Sequence, residues 1–347
     1  MAERLLRLVD TVVVSRPADP GEPILLTRGS EMVRIRRAGP RVRDMLALLQ
    51  RGVAEDAVLC RAGQEARGLV AEMSRLGWLT GERPYTPAGE TWDRQVAWWY
   101  AVTPDGQAAQ RRLAAATVAV LGVGGVGALV ARHLAAGGVR DLWLLDHDTV
   151  AAHNLNRQYL YERSDIGQLK VTAAAAALVR ATGSLRAHPV QVDVGAPGDL
   201  DVLNGRTDLL IVAADRPRHL MDLVWEWAAA RRVPVLGGGV GLSTGYWGPL
   251  LDPAHGGCWP CFEGARLARL TDEERRLERE GVPTPHSFGP TNAIVADYLA
   301  RDAMLFLGIG RCASLGRRQV VDVLGLTARR DSAEPVSAAP CDHGGVS

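Results

Sequence analysis

The stretch that decides the fold is TVAVLGVGGVGALVARHLAAGGVRDLWLLDHDTVAAHNLNRQYLYERSDIGQLK, residues Thr117 to Lys170. It opens on an apolar run, Val118 to Leu121. Such a run suits a strand covered on both faces. The run ends in Gly122-x-Gly124-x-x-Gly127, with Gly125 inside it, and a helical pattern follows. A second apolar run, Leu142 to Leu145, ends in two acids, Asp146 and Asp148. Then come Asn154-Leu155-Asn156-Arg157-Gln158 and, later, Lys170.

Glycines between a strand and a helix permit a tight turn, close approach of a phosphate, and close helix–strand packing. The helix start adds free N–H groups and a dipole that favours an anion. Asp146 ends the next strand, where a carboxylate accepts from ribose hydroxyls. These features suit a dinucleotide as well as ATP. The downstream residues separate the two. Arg157 forks onto phosphate oxygens, Asn154 and Gln158 supply neutral donors, and Lys170 adds a point charge. Asp215 follows the apolar run Leu209 to Ala213 at the carboxyl edge of the sheet, and its hard oxygens suit Mg²⁺. Hydride transfer needs none of this cationic set. Nucleotidyl transfer does, because charge on the phosphate must be stabilised. Each residue taken singly reads equally well as a surface salt-bridge partner; their ordered combination argues for a site.

Outward from this stretch the βα alternation continues. Strands are predicted at 117–121, 141–146, 186–192, 208–213 and 233–237, and helices at 125–136, 167–181 and 217–231. The fold class is α/β: a Rossmann-like, mostly parallel sheet with helices on both faces. Gly241 to Leu251 reads as an antiparallel extension, Arg266 to Glu280 as a solvated charged segment, Asn292 to Leu307 as a helix, and Gln319 to Leu324 as a late strand. Residues 329–347 read as a tail. Ahead of the sheet, residues 1–82 form a small α+β unit of winged-helix size. Its strands are placed at Thr11–Val14, Ile24–Leu26 and Met32–Ile35, followed by two helices. Residues 83–91 read as a linker.

The chain has 347 residues, a net charge of +1 and 47% hydrophobic residues. That allows a large core and gives no bulk attraction for nucleic acid or a membrane surface. The sequence has no signal-peptide pattern and no membrane-length apolar run. Its five cysteines are too few and odd in number for a disulfide scaffold, which fits a cytoplasmic location. Cys258-Trp259-Pro260-Cys261 reads as half a tetrahedral zinc site.

The glycine turn, LLDHDTV, NLNRQ and DIGQLK together resemble the ThiF/MoeB-type adenylyltransferases, relatives of the ubiquitin-activating enzymes. The resemblance covers roughly residues 90 to 310, within an adenylation domain placed at 92–328, and implies ATP and Mg²⁺ as cofactors. A substrate carboxylate is expected to attack the α-phosphate of ATP, releasing pyrophosphate and forming an acyl-adenylate. It implies an ATP site of Gly122, Gly124, Gly125, Gly127, Asp146, Asp148, Asn154, Arg157, Gln158 and Lys170. Asp215 would hold Mg²⁺. Arg94, in Trp92-Asp93-Arg94-Gln95, would reach across a homodimer to the partner's ATP. Arg216 stands where many members have Asn.

The family often carries a second CxxC near its C-terminus. Here Cys341 and His343 occupy that place, and with Cys258 and Cys261 they would complete a structural zinc site. No cysteine lies in residues 262–311, where thioester-forming members carry theirs, so chemistry is expected to stop at the adenylate or pass to another molecule. Residues 1–82 resemble the PqqD-like peptide-recognition domains of ribosomal peptide natural-product pathways. The expected partners are therefore a precursor peptide held by its leader, a second copy of the chain, and a downstream modifying enzyme. The competing readings are an ATP-inactive scaffold feeding a cyclodehydratase, activation of a ubiquitin-like sulfur carrier, and an NAD-dependent oxidoreductase.

Overall fold

The computed structural model describes residues 5–15, 19, 21–54, 56–58, 64–81, 88–103, 105–203, 205–280, 286–325 and 327–330. The chain divides into two compact units, Met1–Gln110 and Arg111–Ser347.

The first unit holds β1 (Leu5–Leu8), β2 (Val13–Val14), β3 (Ile24–Arg28), β4 (Glu31–Ile35), α1 (Pro40–Arg51), β5 (Val53–Ala54), α2 (Gln64–Arg75), β6 (Leu79–Thr80) and α3 (Asp93–Trp99). Strands β2, β3 and β4 form an antiparallel sheet. The strand Leu5–Leu8 was not expected. It pairs with two short partners, β5 and β6, that leave little periodicity to read. Helix α1 presents Val42, Met45, Leu46 and Leu49 to a core that includes Leu26, Met73 and Trp78. The unit extends to Gln110. Arg28 of β3 donates to the carbonyls of Gly77 and Ala101, and Gln110 accepts from Gln95 and Trp99.

The second unit begins within α4 (Gly106–Ala115), a helix not predicted from the pattern. It continues through β7 (Thr117–Leu121), α5 (Gly127–Ala136), β8 (Asp141–Leu145), α6 (Lys170–Thr182), β9 (Arg186–Val190), β10 (Leu209–Val212), α7 (Leu220–Arg231), β11 (Val235–Val240) and β12 (Thr244–Leu251). It ends with α8 (Trp259–Leu267), α9 (Asp272–Glu280), α10 (Gly289–Ile309), β13 (Gln319–Asp322) and β14 (Thr327–Arg330). One eight-stranded sheet results, in the order β14-β13-β12-β11-β10-β7-β8-β9. Strands β7 to β11 are parallel and β12 to β14 antiparallel.

The inner parallel strands β7 and β10 are apolar on both sides of the pleat because helices cover both faces. Ala119, Leu121, Leu210 and Val212 share a core with Val224 and Trp227 of α7. The alternate residues Val118, Val120, Leu142, Leu144, Leu209 and Ile211 are fully buried, as the period of two requires. Helix α10 packs along α5 and against β11 and β12.

Two expectations need refinement. The charged segment Arg266 to Glu280 is solvated, as read, with most of its described residues exposed, but it is largely helical and braced where Arg266 bridges Glu263 at 2.7 Å and Glu278 at 2.6 Å. These two carboxylates raise the Arg266 pKa further. And the first two residues read as tail, 329 and 330, belong to β14, because Thr327–Arg330 closes a hairpin on β13.

Candidate active site

Taken from the outer edge, the parallel strands lie as β9-β8-β7-β10-β11. The order reverses between β7 and β10. Connections from these two strands leave on opposite faces and open a crevice at the carboxyl edge, where ligands of α/β sheets bind. The loops after β7, β8 and β10 carry the predicted residues.

The turn after β7 is laid against the turn after β10. Gly122 has φ 88°, and a Cβ there would lie 2.7 Å from the Ala214 backbone nitrogen. A Cβ at Gly127 would lie 1.8 Å from the Gly122 carbonyl oxygen. Neither position admits a side chain. At Gly124, by contrast, the nearest neighbour of a Cβ would be Gln158 Nε2 at 3.8 Å. Nothing in the described protein crowds that position, so the open side of the turn lies there.

Asp146 ties two loops together. Its Oδ2 accepts from Val123 N at 2.8 Å and its Oδ1 from Asp148 N at 2.9 Å. Each oxygen keeps a second lone pair for a ligand hydroxyl. Lys170, the first residue of α6, points its Nζ at Asp148 Oδ2 across 2.6 Å. The Lys170 side chain is 7% exposed and that of Asp148 51%. It is the one lysine in a chain whose Lys and Arg together number 40. Burial opposes ionisation of Asp148. The hydrogen bond and charge of Lys170, aided by His147 and Arg216, outweigh that and hold its carboxyl below the usual range.

The segment after β8 folds back on the glycine turn. Asn154 is buried and its Oδ1 accepts from Ala151 N at 2.8 Å, so one side of its carboxamide shapes the local turn. Gln158 is also buried, and its Oε1 has no partner among the described residues. A buried acceptor without a donor is costly unless a ligand supplies one. Arg157 Nη1 donates to His153 O at 2.5 Å and Asn156 Oδ1 at 3.0 Å. Its guanidinium therefore rests on its own turn.

Two residues that the sequence reading missed complete the cradle. Tyr161 Oη donates to Val123 O at 2.6 Å, and burial keeps its phenol neutral by raising its pKa. Asn292, in the first turn of α10, lies against Gly125. The first could have been sought in Tyr159-Leu160-Tyr161, just beyond Gln158. The second has no local signal.

Asp215 is exposed and makes no hydrogen bond or ion pair with the described residues, so its oxygens are available to a hydrated hard cation. The neighbouring Arg216 acts electrostatically on Asp148, which puts the β8 and β10 loops in one field. Arg94 lies exposed on α3, in the first unit. Cys258 caps α8 and is buried, and Cys261 follows one turn later. Cys341 and His343 lie outside the described residues. Burial pushes the Cys312 thiol up to about 11, so it is protonated and unreactive at neutral pH.

Residues 92–339 match the model of the ThiF family. The chain belongs to the ThiF family. Over 110 residues, this ThiF-family chain is 42% identical to the adenylyltransferase and sulfurtransferase MOCS3 of Bos taurus, a match covering 32% of this chain but 24% of that protein. The chain thus spans about a quarter of that relative's length. It is 28% identical over 253 residues to the sulfur carrier protein adenylyltransferase of Thermus thermophilus, covering 68% of this chain and 86% of that protein. Its fold matches that of E. coli MccB, crystallised with AMPCPP and MccA, at a TM-score of 0.77 and 20% identity. That match covers 94% of this chain and 96% of MccB. No helix among the described residues is long and apolar enough to cross a membrane.

Proposed function

We propose that this ThiF-family chain is an ATP-dependent adenylyltransferase that activates a peptide carboxylate in the modification of a ribosomally made precursor. One observation carries the reading. The glycine turn packs against the Ala214 turn that leads to Asp215, and Lys170 pairs with Asp148 after β8, so all of them lie on connections flanking the point where the strand order reverses.

The substrate carboxylate attacks the α-phosphorus of ATP. A new P–O bond forms, the bond to the β-phosphate oxygen breaks, and pyrophosphate leaves. The protein's part is to position and neutralise. N–H groups at the start of α5 face the phosphates, Asp146 holds the ribose, and Gln158 Oε1 takes a donor from the nucleotide. Lys170 and Arg157 neutralise the triphosphate. Asp215 holds Mg²⁺, which when bound offsets charge on the leaving pyrophosphate. Cys258 and Cys261 would supply two of the thiolates of a structural Zn²⁺.

The peptide assignment is supported by the fold shared with MccB, which was crystallised with MccA. It is supported also by the first unit. Strands β2 and β4 each pair only with β3 among the described residues, and Val13 and Met32 stand exposed on them. A leader peptide can add as a strand to such an edge. Activation of a sulfur carrier is the second reading, favoured by the match to the Thermus thermophilus protein.

Calorimetric titration with ATP·Mg²⁺ and with NAD⁺ tests the nucleotide, and peptide-dependent pyrophosphate release then tests the reaction. Heat with ATP and release on adding a leader-bearing peptide are expected. NAD⁺ binding would overturn the reading. Release with a Gly-Gly-ended carrier in place of the peptide would move it to the second one.

Arg94 is proposed to act in trans across a homodimer. Mixing Arg94→Ala with Arg157→Ala subunits should then restore part of the activity that each lacks alone. A confirmed mixed dimer that stays inactive would reject that arrangement.

A further inference from the structure

Three of the four glycines in the turn leave no room for a Cβ, and the cause at Gly125 differs from the others. An ideal Cβ there would lie 2.1 Å from Asn292 Nδ2 and 3.0 Å from Asn292 Cγ. The carboxamide of Asn292 thus rests directly on the Gly125 Cα. Asn292 is 2% exposed, and α10 carries it in from far along the chain. Its Nδ2 also donates to Ser287 Oγ at 3.1 Å, on the segment that leads into α10. The Arg157 carbonyl would sit 3.6 Å from the same Cβ. The Cβ side of Gly125 is therefore occupied by α10 and by the loop that carries Arg157 and Gln158.

We propose that Asn292 is a positioning residue of the nucleotide site, and that position 125 is glycine to seat Asn292 rather than to admit a phosphate. This rests on the ATP reading above. The amide fits the role because it fills the space and makes a hydrogen bond without bringing charge. A carboxylate of the same shape would set a negative charge beneath N–H groups that face phosphates, repelling the triphosphate. Loss of the side chain would let the turn sink and move the N–H groups off their targets. The role is separate from that of Gly124, which nothing crowds from within the described protein.

The test is calorimetric binding of ATP·Mg²⁺ and of adenosine to the full chain and four variants, each checked for folding by circular dichroism. The variants are Gly125→Ala, Asn292→Gly, the two combined, and Asn292→Asp. Gly125→Ala is expected to weaken ATP at least tenfold, because its methyl group collides with the carboxamide. The combined variant should recover most of that loss, because the methyl group then occupies the vacated space. Asn292→Asp, nearly isosteric, should weaken ATP at least tenfold while changing adenosine less than twofold. A combined variant as weak as Gly125→Ala would overturn the proposal and hand position 125 back to the phosphate. So would an Asn292→Asp protein that binds ATP normally, or one that loses ATP and adenosine equally. If the unaltered chain takes up no ATP, the reading beneath the proposal fails, and the proposal with it.

Discussion

Asp215→Ala is expected to lower ATP-dependent pyrophosphate release by roughly a thousandfold, the scale of losing a preorganised electrostatic partner of the transition state. Peptide affinity should be nearly unchanged. Asp215 is exposed at the end of the β10 turn and is bonded to none of the described residues, so its removal leaves no orphaned partner and no cavity. Thermal stability should therefore hold, which separates a chemical loss from a folding loss. A variant with full release would remove Asp215 from the reaction and leave Mg²⁺ without its assigned ligand. Asp215→Asn keeps shape and loses charge. It should resemble the alanine variant if charge toward the cation is what matters.

Lys170 offers the second large effect. Lys170→Ala should reduce pyrophosphate release by roughly a hundred- to a thousandfold. It also leaves Asp148 without its main counter-charge, so some stability should go as well. The sign with pH follows from the direction of the Asp148 shift. Its carboxyl is held below the usual range in the folded chain, so the pair stabilises above the unfolded-state pKa and is lost as pH falls through the folded one. In the variant that acid-side loss should shrink. Lys170→Arg tests geometry. The ammonium of Lys170 is buried and meets Asp148 at 2.6 Å, and a larger planar guanidinium would present its donors in a different, forked geometry. Little recovery is expected. Because the chain has a single lysine, an amine-directed reagent reads this site alone apart from the N-terminus, and ATP should protect it.

The site was legible in the sequence to an uneven degree. The strand, glycine turn and helix could be read because each is specified by neighbours in the chain. Val118 to Leu121 is apolar on both sides, and Gly122 and Gly127 mark a turn that tolerates no side chain. Asp146, Lys170 and Asp215 could be nominated by charge and by their place after strands. What the spacing did not reveal was the state of each group. Asn154 spends its Oδ1 on its own turn, which leaves the Nδ2 to act as the donor it was read as. Arg157 rests on His153 O. Gln158 turned out to hold the acceptor that lacks a partner. In the first unit, Leu5–Leu8 escaped notice because its two partner strands are two residues each. The charged run around Arg266 is exposed as its charge suggests, and what sequence alone does not reveal is that two carboxylates converge on one guanidinium there.

By itself the sequence determined that this chain builds a mostly parallel α/β sheet with a glycine turn between its first strand and helix, because hydrophobic period and glycine placement act over a few residues. Only the tertiary structure decided which loops share the site. The reversal of strand order between β7 and β10 brings Gly122 against Ala214, and the packing of α10 along α5 sets Asn292 on Gly125. These contacts join positions far apart in the chain. They follow from how the elements bury their apolar faces together, which no local pattern encodes.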